Sequence, residues 1–391
     1  MINMMTMENN SRAKIKVIGV GGGGGNAINN MIASGLQGVK FISANTDAQA
    51  LETSLAETRI QLGTTMTEGL GAGANPCVGR DAAMENAEVL KEVLADSNMV
   101  FIAAGFGGGT GTGAAPVIAQ LCKEMGILTV AVITRPFFFE GRKRTLQADD
   151  GIQELKKTAD TVITISNDRL RGLASKNAKM VDMFKKADEI LLHSVKSITD
   201  LITIPAVVNL DFADVRTTMS RAGMAIMGIG ISNGENRAIE AAERAFSHPL
   251  LEDINISGAK GVIVGISADS NLTMEEAIEA SQRVHDEVGP DADIIWGMRI
   301  DENMGDNMSV TVIATGIGDD REMAAPVESA GNSLSYPGNV RTLTPSDLDM
   351  PTFIRLKKTL STRTTDVQQH YNMATDEDDL EIPTFLRRRA D

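Results

Sequence analysis

Seven residues, Gly107–Gly113, form the stretch of this chain that is best suited to hold an anion. Their sequence, GGGTGTG, lies between an apolar run at Met99–Ala104, typical of a buried strand, and a segment at Ala114–Met125 that predicts a helix. A turn from strand to helix leaves backbone N–H groups unpaired at the positive end of the helix dipole. The glycines let that backbone close around phosphate oxygens, and two threonine hydroxyls add donors. The stretch therefore predicts a phosphate-binding loop.

Two further glycine-rich turns precede predicted helices. Gly19–Asn26 follows a predicted strand and precedes a helix predicted for Ala27–Ser34, and Gly69–Arg80 precedes a helix predicted for Ala82–Leu94. Three such turns in one chain are more than flexible connections require. We therefore expect them to share one ligand.

The first of these turns also fits a different kind of site. Gly19, Gly21 and Gly24 have the G-x-G-x-x-G spacing of a dinucleotide fingerprint, and Asp47 stands where an acid would bind the ribose. Taken alone, this pattern favours an enzyme that uses NAD or FAD. It stays open here as the alternative, although it gives no role to Gly107–Gly113.

Two carboxylates stand apart from the glycine-rich turns. Asp211 and Asp214 lie on a predicted loop, and Asn209 precedes them. A pair of acids can orient and polarise a water that attacks a phosphoryl group. Acidic loop residues are also commonly just solvated. The chain contains no GxxxxGK[ST] stretch, so a P-loop lysine is not expected to serve the phosphates.

The elements that position these residues predict an α/β fold. Strands and helices alternate through the first half, which indicates a doubly wound parallel sheet with its ligand loops at the carboxyl ends of the strands. A long helix predicted from about Asn177 to about Leu201 would span roughly 36 Å. We expect it to start at the glycine-rich edge and to end on the opposite side, near the acids. The acids would then act on the nucleotide of another molecule, as head-to-tail stacking into filaments allows.

The chain divides into six predicted segments. They are a flexible N-terminal arm (1–12), a nucleotide-binding domain (13–176), a central helix (177–202), a smaller α+β domain (203–318), a disordered linker (319–377) and an end peptide (378–391).

Composition excludes several classes of function. A formal charge of −15 and a pI near 4.8 argue against binding to nucleic acid or to anionic lipid. Two cysteines without a CxxC motif predict neither a disulfide framework nor a zinc site. No apolar run approaches the roughly 20 residues of a membrane span. We expect a soluble, cytoplasmic protein that does not insert into a membrane.

The tail contains one repeat. Asp347–Arg355 (DLDMPTFIR) closely resembles Asp379–Arg387 (DLEIPTFLR). Short apolar motifs in a polar tail are typical of docking peptides. We hypothesise that the internal copy is a weaker second docking site, which a pull-down with each copy deleted would test.

Several motifs together resemble the tubulin/FtsZ family of GTPases, the bacterial tubulin homologues of cell division, over nearly the whole chain. The matching stretches are Gly19–Ala27, Asn45–Leu51, Gly71–Pro76, Gly107–Gly113, Asn167–Asp168, Asn209–Arg216 and Leu380–Asp391. GGGTGTG followed by NLDFADVR is highly specific and displaces the dinucleotide interpretation.

The resemblance implies a GTPase that uses GTP and Mg²⁺, releases GDP and polymerises head to tail into protofilaments at the mid-cell division site. It implies no metal ligand in the protein, because Mg²⁺ would be held mainly by the phosphates. The nucleotide-binding residues that it implies are Gly21, Gly22, Gly23, Gly24, Gly25, Asn26, Asn45, Asp47, Ala72, Gly73, Ala74, Gly107, Gly108, Gly109, Thr110, Gly111, Thr112, Gly113, Glu140, Arg144, Asn167, Phe184 and Asp188. Among these, Ala72–Ala74 would sense the γ-phosphate, Asn167 and Asp188 would read guanine, and Phe184 would stack on it.

The resemblance assigns two further groups. Asp211, Asp214 and Asn209 would complete catalysis in the neighbouring subunit. The end peptide would bind membrane-tethering and regulatory division proteins through Leu380, Ile382, Pro383, Phe385, Leu386 and Arg387. The internal copy of that peptide is not expected of the family.

Overall fold

The structure is a computed structural model that describes residues 13–170, 179–204, 206–208, 210–220, 223–248, 251, 256, 258–290 and 292–317. The predicted N-terminal arm, linker, tail repeat and end peptide lie outside these residues, and the predicted segment boundaries stay predictions. Within the described residues, no helix has both the length and the hydropathy to cross a bilayer.

The first half alternates strands with helices. Its elements are β1 (Ile15–Val20), α1 (Gly21–Ala33), β2 (Val39–Asn45), α2 (Ala48–Glu52), β3 (Thr58–Gln61), α3 (Thr64–Thr67), α4 (Pro76–Glu85), α5 (Ala87–Leu94), β4 (Met99–Gly105), α6 (Thr110–Glu124), β5 (Leu128–Arg135), α7 (Arg142–Thr158), β6 (Thr161–Ser166) and α8 (Asn167–Leu170).

The second half begins with the long helix. Its elements are α9 (Met180–Thr203), α10 (Phe212–Ser220), β7 (Gly223–Asn233), α11 (Arg237–Phe246), β8 (Gly261–Ala268), α12 (Met274–Val288), β9 (Asp293–Ile300) and β10 (Asn307–Thr315).

The ten strands among the described residues form one sheet in the order β3-β2-β1-β4-β5-β6-β7-β10-β8-β9. The strands from β3 to β7 are parallel, so the carboxyl ends of β1 to β6 lie along one edge. In the second half, β10 runs antiparallel to both of its neighbours. The predicted α/β class with a smaller α+β part is confirmed, and the two parts share a sheet through three residue pairs between β6 and β7.

Helix α9 belongs to the core of both halves. Its buried side chains, including Ile190, Val195 and Ile198, join a cluster that contains Val17 and Phe101 from the first half. The same cluster contains Ile263 and Ile313 from the second half. The opposite faces of the two halves have separate apolar clusters. Helix α9 therefore forms a continuous rod against one face of the sheet.

A buried ion-pair network ties the second half together. Arg237, 7% exposed, donates from Nε to Glu276 Oε1 at 2.6 Å and from Nη1 to the carbonyl of Asp306 at 3.0 Å. Asp269 Oδ1 lies 3.3 Å from the same guanidinium. Burial of this cation is tolerable only because its partners are in place.

Several predicted boundaries are wrong, and the largest errors concern glycine. Helix α1 begins at Gly21 and not at Ala27, and α6 begins at Thr110 and not at Ala114. Glycine is a poor helix former, so the sequence suggested loops there. The helix predicted for Ala82–Leu94 is two helices, α4 and α5, that meet at Asn86. The short elements β3 and α2 were not predicted.

Candidate functional site

Two helix N-termini lie side by side at the carboxyl edge of the sheet. Strands β1 and β4 are neighbours in register, with Val20 opposite Ala104, and they lead into α1 and α6. Neither helix has a side chain that caps its first turn. A Cβ built on Gly21 would lie 2.9 Å from Gly111 N, so the two helix starts are in contact. Their free N–H groups and aligned dipoles make this edge favourable for an anion.

The glycines at these helix starts divide into two groups. A Cβ added to Gly22 or Gly108 would meet no atom within 4 Å, so the backbone there is open to a ligand. A Cβ on Gly24 would collide with the carbonyl of Ala103, and one on Gly113 with the carbonyl of Pro76. Gly24 and Gly113 therefore serve close packing against β4 and α4. Gly23, Gly25 and Gly111 lie in the first two turns of their helices, and Gly107 and Gly109 lie in the loop before α6. Asn26 lies in the second turn of α1.

The two threonines of the loop do different things. The buried Thr112 hydroxyl accepts from Gly107 N at 2.9 Å and so closes the loop on itself. Gly107 has a φ of +99°, which a side chain rarely allows. Thr110 is only partly buried, and its Oγ1 lies 2.6 Å from Thr46 Oγ1. Thr110 is therefore the more exposed of the two threonines, whereas Thr112 is buried and closes the loop.

The third glycine-rich turn lies against the N-terminus of α6. Its beginning is hydrogen bonded to the end of β2, by Ala48 N to the Gly69 carbonyl at 3.0 Å and by Gly71 N to the Thr46 carbonyl at 3.2 Å. Further along, the Cβ of Ala72 would lie 2.8 Å from a Cβ on Gly109. The turn is thus held at both ends.

The exposed tip of this turn is Gly73–Ala74. Ala74 has a φ of 57°, which is uncommon for a residue with a side chain, and its carbonyl accepts from Gln147 Nε2 at 3.3 Å. Ala72–Ala74, the predicted γ-phosphate sensor, therefore lies against the N-terminus of α6 and contacts α7 through Gln147. Gln147 on α7 was not predicted.

Asn45 and Asp47 lie where β2 ends, but their side chains are already engaged. Asn45 is buried, and its Oδ1 accepts from Asp47 N at 3.3 Å. Asp47 Oδ1 accepts from Gln49 N at 2.9 Å and from Ala50 N at 3.3 Å, which caps α2. The acid that suggested a ribose contact in a dinucleotide enzyme is therefore a helix cap.

Glu140 and Arg144 form an ion pair beside Gly107. Arg144 Nη1 donates to Glu140 Oε2 at 2.6 Å, and Glu140 Oε1 accepts from Phe137 N at 2.9 Å. The Arg144 carbonyl would lie 2.9 Å from a Cβ on Gly107. This pair is therefore next to the phosphate loop, with half of the Arg144 side chain exposed.

The other end of the same edge has the chemistry to bind a purine. Asn167, directly after β6, is buried, and its Oδ1 has no hydrogen-bond partner among the described residues. Burial raises the pKa of the Asp188 carboxyl to about 6, and no described residue donates to it. Phe184 is 42% exposed, and its ring meets Phe137 edge-on with centroids 5.3 Å apart. An amide oxygen and a carboxyl that no described residue pairs, together with a half-exposed ring, suit a planar base with hydrogen-bonding edges.

The two acids lie on the opposite edge of the sheet. Helix α10 leads into β7, which pairs at Gly223 with Thr161, the first residue of β6. Asp211 precedes α10 and its Oδ1 accepts from Ala213 N at 3.3 Å, while Asp214 lies in the first turn of α10 and not on a loop. Both acids are exposed. Asn209 lies outside the described residues.

The structure does not bring the acids to the glycine-rich edge of their own chain. Helix α9 has 24 residues. At 1.5 Å per residue it separates the two regions by roughly 36 Å. Neither acid can therefore reach a ligand bound at the helix N-termini of the same molecule.

The acidic and histidine side chains in the described part of the chain are not gathered into a metal-binding cluster. No group of three or more His, Cys, Asp or Glu residues there is arranged to hold a metal ion. A divalent cation at this site would therefore need most of its ligands from elsewhere.

Comparison with known proteins gives consistent results for both halves. Residues 14–175 match the family model "Tubulin/FtsZ family, GTPase domain", and residues 223–318 match "FtsZ family, C-terminal domain". The chain is 49% identical over 390 residues to "Cell division protein FtsZ" of Pseudomonas putida, covering 96% of this chain and 97% of the relative. It is 48% identical over 378 residues to the protein of the same name from Coxiella burnetii, covering 96% of each.

Solved structures agree. A structure described as an empty FtsZ dimer from M. jannaschii is 44% identical, with a TM-score of 0.76, covering 80% of this chain and 90% of that one. CetZ2 from Haloferax volcanii, described as a GTPgS-bound protofilament, has a TM-score of 0.67 over 78% of this chain and 93% of that one. At 22% identity, CetZ2 supports the fold alone.

Proposed function

This chain belongs to the tubulin/FtsZ family of cell-division GTPases, and on that premise we propose that it hydrolyses GTP at junctions between stacked subunits. One observation carries the proposal: the open helix N-termini and the exposed acids lie on opposite edges of the sheet, separated by the length of α9. A single molecule has both halves of a hydrolytic site but cannot bring them together. A second molecule stacked head to tail supplies the missing half.

The phosphates would be held by backbone more than by side chains. The free N–H groups at Gly22, Gly108 and their neighbours donate to phosphate oxygens, with the Thr110 hydroxyl beside them. Ala72–Ala74 would contact the terminal phosphate, and the pair of Glu140 and Arg144 would meet the sugar and phosphates. Mg²⁺ would come bound to the phosphates and neutralise part of their charge.

Guanine selectivity would come from the pair Asn167 and Asp188. A carboxylate accepts from the N1–H and 2-amino groups of guanine, which adenine lacks in that arrangement. Burial raises the pKa of Asp188, and guanine would supply the donors that no described residue gives this carboxyl. Phe184 would cover one face of the base.

The acids would orient the attacking water. Asp211 and Asp214 from one subunit would approach the terminal phosphate of the next, and Asn209 would act with them. A positioned carboxylate accepts the proton of the water as it attacks. The solved relative described as a dimer supports self-association.

Turnover measured against protein concentration tests the proposal. We expect little GTPase activity below a threshold concentration and a steep rise above it, matched by sedimentation with GTP but not with GDP. A dinucleotide enzyme or a GTP-binding scaffold without hydrolysis would show no such threshold. Full activity in a dilute, strictly monomeric preparation would contradict the proposal.

We also propose that the end peptide, 378–391, recruits the filament to membrane-tethering and regulatory division proteins at mid-cell. The support is its apolar and basic sequence, with Ile382, Phe385 and Arg387 at its centre. Labelled filaments with and without the peptide would test it in cells. Unchanged mid-cell localisation without the peptide would contradict this proposal.

A further inference from the structure

Thr46 connects separate parts of the site and is not among the residues that the sequence predicts. It follows β2 and is fully buried. Its carbonyl accepts from Gly71 N of the third glycine-rich turn at 3.2 Å. Its hydroxyl lies 2.6 Å from the hydroxyl of Thr110, which is 64 residues away in sequence at the first position of α6. Thr46 therefore links the third glycine-rich turn to the N-terminus of α6.

The direction of this hydrogen bond follows from burial. A hydroxyl has one proton to donate, and a buried donor without an acceptor is costly. The Thr46 hydroxyl has no other hydrogen bond within the described residues, so its proton must go to Thr110 Oγ1. Thr110 then keeps its own proton, and it is the only partly buried member of the pair.

We propose that Thr46 is a positioning residue for phosphate binding: by donating to Thr110 Oγ1, it turns the Thr110 proton outward toward a phosphate oxygen over the two helix N-termini. The ligand class is a nucleoside polyphosphate, and to that extent the inference rests on the proposed function. Gly21 also packs against Thr110, since a Cβ added to Gly21 would lie 3.2 Å from the Thr110 Cβ. The Thr110 side chain therefore contacts Gly21 as well as Thr46, and both contacts restrict the orientation of its hydroxyl.

Two substitutions separate the hydroxyl from the shape of the side chain. Thr46→Val keeps the branched shape and removes the hydroxyl, while Thr46→Ser keeps the hydroxyl. Neither changes the carbonyl that binds Gly71. Thr110→Val and the double variant Thr46→Val/Thr110→Val complete a cycle that measures the coupling between the two side chains.

We expect Thr46→Val to weaken GTP binding about five- to tenfold, and Thr46→Ser to bind within about twofold of the unmodified chain. The double variant should bind no more weakly than Thr110→Val alone, because Thr46 acts only through Thr110. Additive losses, equal losses in the valine and serine variants, or a lower melting temperature with unchanged affinity would each overturn the proposal.

Inorganic tripolyphosphate, used as a second ligand, distinguishes this inference from the proposed function. If the unmodified chain binds tripolyphosphate but has no preference for GTP over ATP, guanine selectivity fails. The same cycle measured with tripolyphosphate then still decides the role of Thr46. A chain that binds neither ligand would overturn both.

Discussion

Replacing Asp188 by asparagine should make the nucleotide-free protein more stable and lower its affinity for GTP. Burial raises the pKa of this carboxyl from its ordinary 3.8 to about 6, and no described residue offers it a hydrogen bond. The folded, empty protein therefore holds a charge that would be better solvated in the unfolded chain. Asparagine has nearly the same shape and carries no charge.

The magnitude follows from the pKa. A rise of about two units corresponds to roughly 3 kcal/mol against the ionised form, and partial solvent exposure reduces this to about 1–2 kcal/mol. Because the folded-state pKa lies above the unfolded-state value, the folded protein binds more protons between about pH 4 and pH 6. The destabilisation caused by the charged Asp188 carboxylate is complete above about pH 6 and absent below about pH 4. At pH 4.5, about a third of this destabilisation remains.

Chemical denaturation of nucleotide-free protein at pH 7 and pH 4.5 measures this directly. We expect Asp188→Asn to gain about 1–2 kcal/mol at pH 7 and about a third of that at pH 4.5. Asp182→Asn is the matched control, since Asp182 is an exposed acid near the start of the same helix. An Asp188→Asn protein that is less stable at pH 7 would show that the carboxylate is stabilised in the empty site and would refute the reasoning.

The same residue should make GTP binding sensitive to pH. Protonation competes with guanine for the Asp188 carboxylate, so affinity should fall as the pH drops below about 6, by up to about tenfold per unit. Titration calorimetry from pH 7 to pH 5 would measure this. Asp188→Asn should bind more weakly at pH 7 and lose that pH dependence.

Three further predictions concern other parts of the molecule. Asp214→Ala should bind GTP within about twofold of normal but hydrolyse it at least about a hundredfold more slowly. The nucleotide-site variant Gly22→Ala should fold but bind GTP poorly, and an equal mixture of the two variants should recover up to about a quarter of normal turnover. No recovery in the mixture would argue against shared sites. Gly113→Ala should cost about 3 kcal/mol or more in a denaturation experiment, because its Cβ collides with backbone of α4, whereas Gly22→Ala should be nearly neutral there. Arg237→Met should cost about 3 kcal/mol by leaving the buried Asp269 without its cation, and a neutral result would show that water replaces the guanidinium.

The fold class could be predicted from the sequence because the strands are apolar runs bounded by turns. Local sequence pattern, an apolar run at Met99–Ala104, placed β4 within one residue of its observed ends. It failed for α1, where five consecutive glycines oppose helix formation by about 1 kcal/mol each relative to alanine. The structure supplies the compensation: Gly24 has no side chain and so lets α1 lie directly on β4. Such a contact between distant segments is not visible in local pattern.

In the candidate site, too, some features could be predicted from the sequence and others could not. Parallel strands bring their carboxyl ends to one edge, so the gathering of the glycine-rich turns could be predicted from strand order alone. The role of Asp47 could not, because a cap on a five-residue helix and a ribose contact look alike in sequence. Nor could the Thr46–Thr110 contact, which depends on the final packing of segments 64 residues apart.

The separation of the acids from the glycine-rich edge has an arithmetic consequence for any stack built as proposed. A linear row of n subunits has n − 1 junctions, so one terminal subunit holds a nucleotide that no acid covers, and the other terminal subunit has acids that cover nothing. The two ends then differ chemically although every subunit is identical. The number of junctions per subunit rises with row length, from one half in a pair toward one in a long row. The hydrolysis rate per subunit rises with it, so this rate measures the average length of the rows.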